Sequence, residues 1–219
     1  SGVGHILQPD EYLWYRRTIS LPEEFKQDCR VLLHFGAVDQ CCTVWLNGEE
    51  LGRHIGGYLP FTFELTDHLS SEPFTLELCV TDPTDTGFLS RGKQRLKHAG
   101  IWYTPQSGIW QTVWLEAVPQ NYLHSLRITP QPEKNTVHFR LDADDPAHAD
   151  IAVHKDGIII AAGESGTDGE ALLSIPAEQL RLWSPEDPVL YDVTITLAGG
   201  DTVESYFGMR SFGIGTDEK

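Results

Sequence analysis

Short stretches in which apolar and polar residues alternate run along most of the chain. Such alternation puts every second side chain on one face of a β-strand, so it predicts strands with one buried face. Glycine, proline, aspartate and asparagine separate the stretches, as turns require. The predicted strands are Leu13–Ser20, Arg30–Phe35, Thr43–Leu46, Phe61–Leu65, Phe74–Thr81, Ile109–Ala117, Leu123–Thr129, Thr136–Asp142, Ile151–Lys155, Ile158–Ala161, Ala171–Ile175, Val189–Leu197 and Thr202–Phe207.

The turns and the scarcity of helical patterns define the fold class. Asn47-Gly48 and Asp156-Gly157 each join two predicted strands, and both dipeptides favour the type I′ turn of a hairpin. The best helical candidates, Pro22–Gln27 and Pro176–Leu180, are single turns. The sequence therefore predicts an all-β fold made of β-sandwiches.

A change in patterning near Pro119 predicts a domain boundary. Before it, the strands are rich in tryptophan, several are apolar on both faces, and the loops are long. After it, apolar and polar residues alternate regularly in strands such as Thr136–Asp142, which gives each strand one core face and one solvent-exposed face. We expect a first sandwich at 1–119 and a second at 120–219, the latter of about the size of an immunoglobulin-like domain.

The segment Gly100–Glu116, GIWYTPQSGIWQTVWLE, carries four large aromatic residues. Its predicted strand, Ile109–Ala117, is apolar on both faces, so it requires a second cover besides the core. Another domain or a ligand can provide that cover. Sugars are one class of ligand that fits, because pyranose C–H faces stack on indole and phenol rings.

Charge narrows the classes of partner. The formal net charge is −16 and the pI is about 4.8, which argues against nucleic acid and anionic membranes as partners. No apolar run approaches the roughly 20 residues of a membrane helix, and no signal peptide is recognisable.

The four cysteines lack disulfide or zinc spacing, so we expect free thiols and a cytoplasmic location.

The long loop Asp82–Thr104 holds the main cationic cluster, Arg91–His98. A loop of this length in a compact domain is usually functional or disordered. Asp82–Gly87 could offer oxygen ligands to calcium, but an acidic turn is the stronger interpretation.

No pair of acids stands out as catalytic, and no metal, nucleotide or nucleophile motif is present, so we predict no catalytic residues, no metal and no cofactor.

Several motifs occur together in a distinctive order. They are Trp14–Arg17, Leu33–Asp39 followed by Val44–Gly48 (F-x-A-V-D … V-W-L-N-G), Gly56–Phe61 (G-G-Y-x-P-F), Arg91–Gln94, Ile101–Tyr103, Ser107–Val113, Leu182–Glu186 with Leu190-Tyr191, and Phe207–Arg210. In this order they resemble glycoside hydrolase family 2, the β-galactosidase, β-glucuronidase and β-mannosidase type. The resemblance covers most of the chain. It implies a galactose-binding-like jelly roll followed by an immunoglobulin-like sandwich.

In that family a (β/α)₈ barrel follows the second domain and carries both catalytic glutamates, one in an Asn-Glu pair. This chain ends after the Phe-Gly-Met-Arg motif and has no Asn-Glu dipeptide. The jelly roll also starts late relative to the family pattern. The resemblance therefore implies a fragment without its catalytic barrel, shortened at the N-terminus, and inactive alone.

Six residues are candidates for contact with the carbohydrate substrate in the full-length enzyme: Arg91, Lys93, Gln94, Trp102, Tyr103 and Tyr58. The expected partners are the chain's own barrel and a carbohydrate, with a homo-oligomer left open. Two alternatives remain open at this point. The loop could serve only to dock the barrel, or the chain could be a free-standing carbohydrate-binding module with Tyr58, Trp102 and Tyr103 as its platform.

Overall fold

The computed structural model describes residues 4–26, 28–69 and 73–214. The chain divides into two compact units, Ser1–Val118 and Pro119–Lys219. The described residues contain no α-helix, only four short 3-10 helices at Glu23–Lys26, Thr66–His68, Pro132–Lys134 and Ala177–Gln179. None of these could cross a bilayer. The first lies in the predicted turn Pro22–Gln27, whose Gln27 is outside the described residues.

The first unit is a β-sandwich whose two main layers share one core. Its strands are β1 Leu13–Ile19, β2 Arg30–Phe35, β3 Val38–Asp39, β4 Cys41–Leu46, β5 Glu49–Ile55, β6 Phe61–Glu64, β7 Phe74–Thr81, β8 Gly108–Ile109 and β9 Val113–Val118. One layer has the order β1-β7-β4-β5 and the other β6-β2-β9, while β3 and β8 form a small pair. All pairings are antiparallel.

Alternation explains which side chains fill this core. In β4 the buried positions are Cys42, Val44 and Leu46, and the residues between them are half buried. From the opposite layer, Leu33 and Phe35 of β2 pack into the same cluster. Every second residue of the strand is therefore buried in the core, as the alternation in the sequence predicts.

The second unit is a smaller sandwich with the clean patterning that the sequence predicts. Its strands are β10 Leu123–Gln131, β11 Thr136–Ala143, β12 Asp150–Lys155, β13 Ile158–Glu164, β14 Glu170–Ser174, β15 Tyr191–Thr196 and β16 Thr202–Phe207. They form the sheets β10-β11-β14 and β13-β12-β15-β16 around one core. The buried Tyr191 donates from its hydroxyl to the Gln179 carbonyl at 2.9 Å. The all-β prediction, a jelly roll followed by an immunoglobulin-like sandwich, is confirmed.

Both predicted hairpins are confirmed. Asn47 and Gly48 have φ of 51° and 85° between β4 and β5, and Asp156 and Gly157 have 52° and 77° between β12 and β13. The sequence did not predict β5. This strand lies at the edge of its sheet and is largely exposed. Because neither of its faces is fully buried, its sequence needs no alternation of apolar and polar residues.

The predicted continuous strand Ile109–Ala117 is wrong. The chain pairs briefly as β8, leaves the sheet at residues 110–112, and pairs again as β9. Trp110 and Gln111 both direct their backbone N–H to the Ala37 carbonyl, at 3.3 and 3.5 Å. Because the strand is interrupted here, Trp110 and Trp114 do not continue one alternating pattern.

All four cysteines are free thiols. Burial raises the pKa of the Cys42 thiol to about 11, and it raises the pKa of Cys41 and Cys79 in the same direction. A thiol with a raised pKa is a poor nucleophile at neutral pH. Cys42 belongs to the core cluster of the first sandwich, and Cys29 packs against that cluster.

Candidate functional site

The long loop between β7 and β8 folds back on itself instead of extending freely. Tyr103 donates its backbone N–H to the Lys93 carbonyl at 2.8 Å, and Arg95 donates to the Tyr103 carbonyl at 3.2 Å. Gln94 and Tyr103 thus form an isolated parallel bridge. The cationic stretch and the aromatic stretch, which are separate in the sequence, lie side by side.

A buried polar network anchors this loop to the sandwich. Ser107 donates its hydroxyl to Asp82 at 2.6 Å, and the backbone N–H of Thr84 donates to the other oxygen of the same carboxylate at 2.7 Å. Asp82 therefore shapes an acidic turn, the interpretation that the sequence favours. Gln94 donates to Asp39 at 3.4 Å and accepts from the backbone N–H of Gln106 at 2.5 Å. Both ends of the loop are thus tied to Asp82, and its middle is tied to Asp39.

Asp39 is the electrostatically unusual group of the network. Burial, and secondarily the charge of Asp82, raise its pKa from 3.8 to about 6, against the opposing hydrogen bond from Gln94. Its Oδ1 atom is buried and has no partner within the described part of the chain. A Cβ at Gly57 would come 2.6 Å from this oxygen, so the backbone closes directly over the carboxyl. Asp39 can therefore hold a proton at mildly acidic pH.

The outer side of the loop carries aromatic and cationic groups. The Arg95 guanidinium lies 3.7 Å from the ring centroid of Trp102, within cation–π range. Trp110 donates its indole N–H to the Gly57 carbonyl at 2.7 Å and meets Tyr58 edge-on at 6.2 Å. Tyr103 is 67% exposed. This surface, residues 91–103 with Tyr58 and Trp110, is called the loop surface below.

The six predicted site residues are placed as follows. Lys93, Tyr103 and Tyr58 are exposed, and a Cβ at Gly92 would lie 3.4 Å from the Tyr58 hydroxyl, so the three share one region. Trp102 is half buried under Arg95. Arg91 is half buried, and its Nε atom is buried without a partner among the described residues. Gln94 points inward, where both ends of its amide are engaged.

Sequence reasoning missed the buried base of the site. Asp39 ends an apolar run and stands out in the sequence only as part of a motif, and Asp82 only as a turn residue. The position of Asp39 after an apolar run was the one signal in the sequence that could have indicated a buried carboxyl. The proximity of Asp39 to Asp82 depends on contacts between strands that are distant in the sequence. Within the described residues, no cluster of three or more His, Cys, Asp or Glu side chains could hold a metal ion.

The fold and the loop surface together define the class of protein. It has two successive β-sandwich domains, and the first presents an anchored loop rich in aromatic and cationic groups. Two family models match the chain. The sugar binding domain of glycosyl hydrolases family 2 matches residues 5–119, and a second family 2 model matches residues 121–210. The chain therefore belongs to glycosyl hydrolases family 2.

Relatives of known activity are similar along almost the whole chain. The β-galactosidase large subunit of Leuconostoc lactis is 26% identical over 93% of this chain and 33% of its own length. The β-glucuronidase of Rattus norvegicus is 24% identical over 93% of this chain and 36% of its own length. The chain thus spans about a third of the length of these relatives, which are larger enzymes.

Solved structures show the same fold. The Faecalibacterium prausnitzii β-glucuronidase is 26% identical with a TM-score of 0.71, over 91% of this chain and 37% of that one. The Bifidobacterium dentium β-glucuronidase, complexed with coumarin-3-O-glucuronide, is 21% identical with a TM-score of 0.74, over 93% and 40%.

Proposed function

We propose that this chain forms the two non-catalytic domains that precede the catalytic barrel of a family 2 glycoside hydrolase, and that its loop surface borders the substrate site of that barrel. One observation carries the proposal: the loop is anchored from beneath by the Asp39 and Asp82 network while its aromatic and cationic groups face outward. A surface that only needed to be soluble would not require such anchoring.

In the full-length enzyme, Tyr103→Ala should lower kcat/KM by about tenfold, because an aromatic wall contributes roughly 1–1.5 kcal/mol to holding a sugar ring. The measurement is hydrolysis of nitrophenyl β-galactoside and β-glucuronide. Tyr206→Ala is the matched control, since Tyr206 of the second unit is 65% exposed. If both variants retain full activity, Tyr103 does not touch the substrate.

Lys93 tests whether the substrate carries a carboxylate. A lysine that donates to a carboxylate contributes more than one that donates to a hydroxyl, because the hydrogen bond is charge-assisted. In the full-length enzyme, Lys93→Met should lower kcat/KM for the glucuronide by about tenfold or more and leave the galactoside nearly unchanged. Lys97→Met, on the same loop and exposed, should change neither. Equal losses on both substrates would contradict a carboxylate contact.

A second candidate function, a carbohydrate-binding module, is favoured by the exposure of Tyr58, Tyr103 and Trp110 on one surface. Calorimetric titration of the chain alone with sugars separates the two. Binding at millimolar concentration or tighter would support the module. We expect no such binding, and no release of nitrophenol by the chain alone, because the catalytic carboxyls of a glycosidase must face one cleft and this site offers only two buried acids.

A further inference from the structure

Strand β13, Ile158–Glu164, forms one edge of the four-stranded sheet in the second unit. Among the described strands, only β12 is hydrogen-bonded to it. Alternate N–H and C=O groups of a strand point to opposite sides, so the outer side of β13 presents backbone groups that no described strand pairs with. This outer side is called the β13 edge below.

The β13 edge lacks the features that usually keep an edge strand from pairing. Its segment Ile158–Gly163 reads IIIAAG, without a charge or a proline. Ile158 and Ile159 are 67% and 58% exposed. The opposite edge of the same sheet, β16, carries Glu204 within the strand. Charged residues and proline are the usual protection of an edge, so the uncharged, isoleucine-rich β13 edge indicates a strand that pairs with another strand.

The order of large and small residues in β13 fits a second copy of the same strand. Two copies related by a two-fold axis run antiparallel to each other. One register then places the three isoleucines of one copy, Ile158–Ile160, opposite the small residues of the other, Ala161–Gly163, in reverse order. Every pair in this register joins a large side chain to a small one, so the isoleucines of each copy fill the space beside the small residues of the other.

The same register keeps paired side chains on one face of the sheet. A bulge in the β12–β13 ladder leaves Ile160 without a partner in β12, and Ile160 and Ala161 both pack against the core. Ile159 and Ala162 are both exposed. In the two-fold register Ile160 meets Ala161 and Ile159 meets Ala162. The bulge of one copy therefore lies beside the bulge of the other, and the extra twist that a bulge introduces is matched.

We propose that the β13 edge is an interface between two copies of this chain, in which two β13 strands pair antiparallel about a two-fold axis and join their sheets into one. A strand of seven residues is only about 23 Å long, so the interface is smaller than that of most permanent dimers. The dimer should therefore be reversible, with a Kd on the order of 10 µM. This inference concerns the second unit and does not rest on the proposed function.

Sedimentation velocity and amide hydrogen exchange test the proposal on this chain, at concentrations from about 1 µM to about 200 µM. The chain should pass from monomer to dimer over this range. Exchange within β13 should slow by about fivefold at the highest concentration, because most copies are then paired. Exchange within β16, the opposite edge, should not change. A chain that stays monomeric throughout, or a dimer that leaves exchange in β13 unchanged, would overturn the proposal.

Charge substitutions test the register. Ala162→Lys and Ile159→Glu should each weaken the dimer by about tenfold or more, because each places a charge opposite an uncharged residue of the other copy. Both residues are exposed, so the variants should remain folded, which thermal unfolding checks. Tyr206→Lys, at an exposed position on β16, is the control and should not alter the dimer.

The chain that carries both Ile159→Glu and Ala162→Lys should dimerise more tightly than either single variant. The two-fold register places the new carboxylate of one copy opposite the new ammonium of the other, and opposite charges directly across a strand pair attract. A double variant that is no tighter than the single variants would contradict the register. An Ala162→Lys variant that dimerises as well as wild type would show that the two copies meet at another surface.

Discussion

Replacing Gly108 with alanine should destabilise the first unit by about 3 kcal/mol or more, which would be a large effect for one methyl group. Gly108 has φ of +95°, a conformation that costs other residues roughly 1–2 kcal/mol. A Cβ at this position would also collide with the Tyr15 hydroxyl and come 2.8 Å from Leu13 Cδ2. The Tyr15 hydroxyl accepts the backbone N–H of Ile109 at 3.3 Å, so relieving the collision would break that contact.

The measurement is urea unfolding followed by tryptophan fluorescence. Five of the six tryptophans lie in the first unit, with only Trp183 in the second, so the signal reports the unit that carries the change. Gly48→Ala is the control. Gly48 also has a positive φ, +85°, but nothing lies within 4 Å of its Cβ position, so only the conformational cost of about 1 kcal/mol should remain. Equal losses in both variants would show that the collision is relieved without cost.

The consequence of Gly108→Ala should extend to the loop surface. Gly108 pairs with Asp39 across β3 and β8, and the neighbouring Ser107 donates to Asp82. A shift of this backbone would therefore disturb both buried carboxyls that anchor the loop. The small β3–β8 pair has two residues in each strand, so it has little capacity to absorb the change elsewhere.

The sequence predicted those parts of the fold in which burial imposes a period of two. Strands such as β4 and β11 alternate because one face lies in a core, and the turns at Asn47 and Asp156 follow from the local preference for positive φ. Strand β5 was not predictable in this way, because an exposed edge strand imposes no pattern. The break between β8 and β9 was missed because it is only three residues long, contains Trp110, and is flanked on both sides by apolar residues.

The candidate site was predictable on its outside only. The length of the loop and its cationic and aromatic residues marked it in the sequence, since both features are visible locally. The inward orientation of Gln94 and the proximity of Asp39 to Asp82 depend on the packing of β3 beside the end of β7. Neither could therefore be predicted without the tertiary structure. The same holds for Trp110, whose indole N–H is fixed by a carbonyl in a different loop.

The second large effect should appear as a pH dependence that Asp39 imposes on the first unit. Its carboxyl has a pKa of about 6 in the folded protein, against 3.8 as its ordinary value, so the folded state binds the proton more tightly than the unfolded state. The contribution of this group to stability is therefore greatest below pH 4, falls between about pH 4 and pH 6, and stays low above pH 6. The loss across this window is at most about 3 kcal/mol.

Asp39→Asn should remove this dependence, because the amide neither ionises nor repels Asp82. Urea unfolding from pH 4 to pH 7.5 measures it, and the informative quantity is the stability of the variant relative to wild type. That difference should move in favour of the variant by about 2–3 kcal/mol as the pH rises. Asp10→Asn, at an exposed carboxyl, should give a difference that stays nearly constant. A constant difference for Asp39→Asn as well would show that Asp39 is ionised throughout. The loop would then be anchored by an ionised Asp39 that accepts from Gln94, together with the hydrogen bonds of Ser107 and of the Thr84 backbone to Asp82.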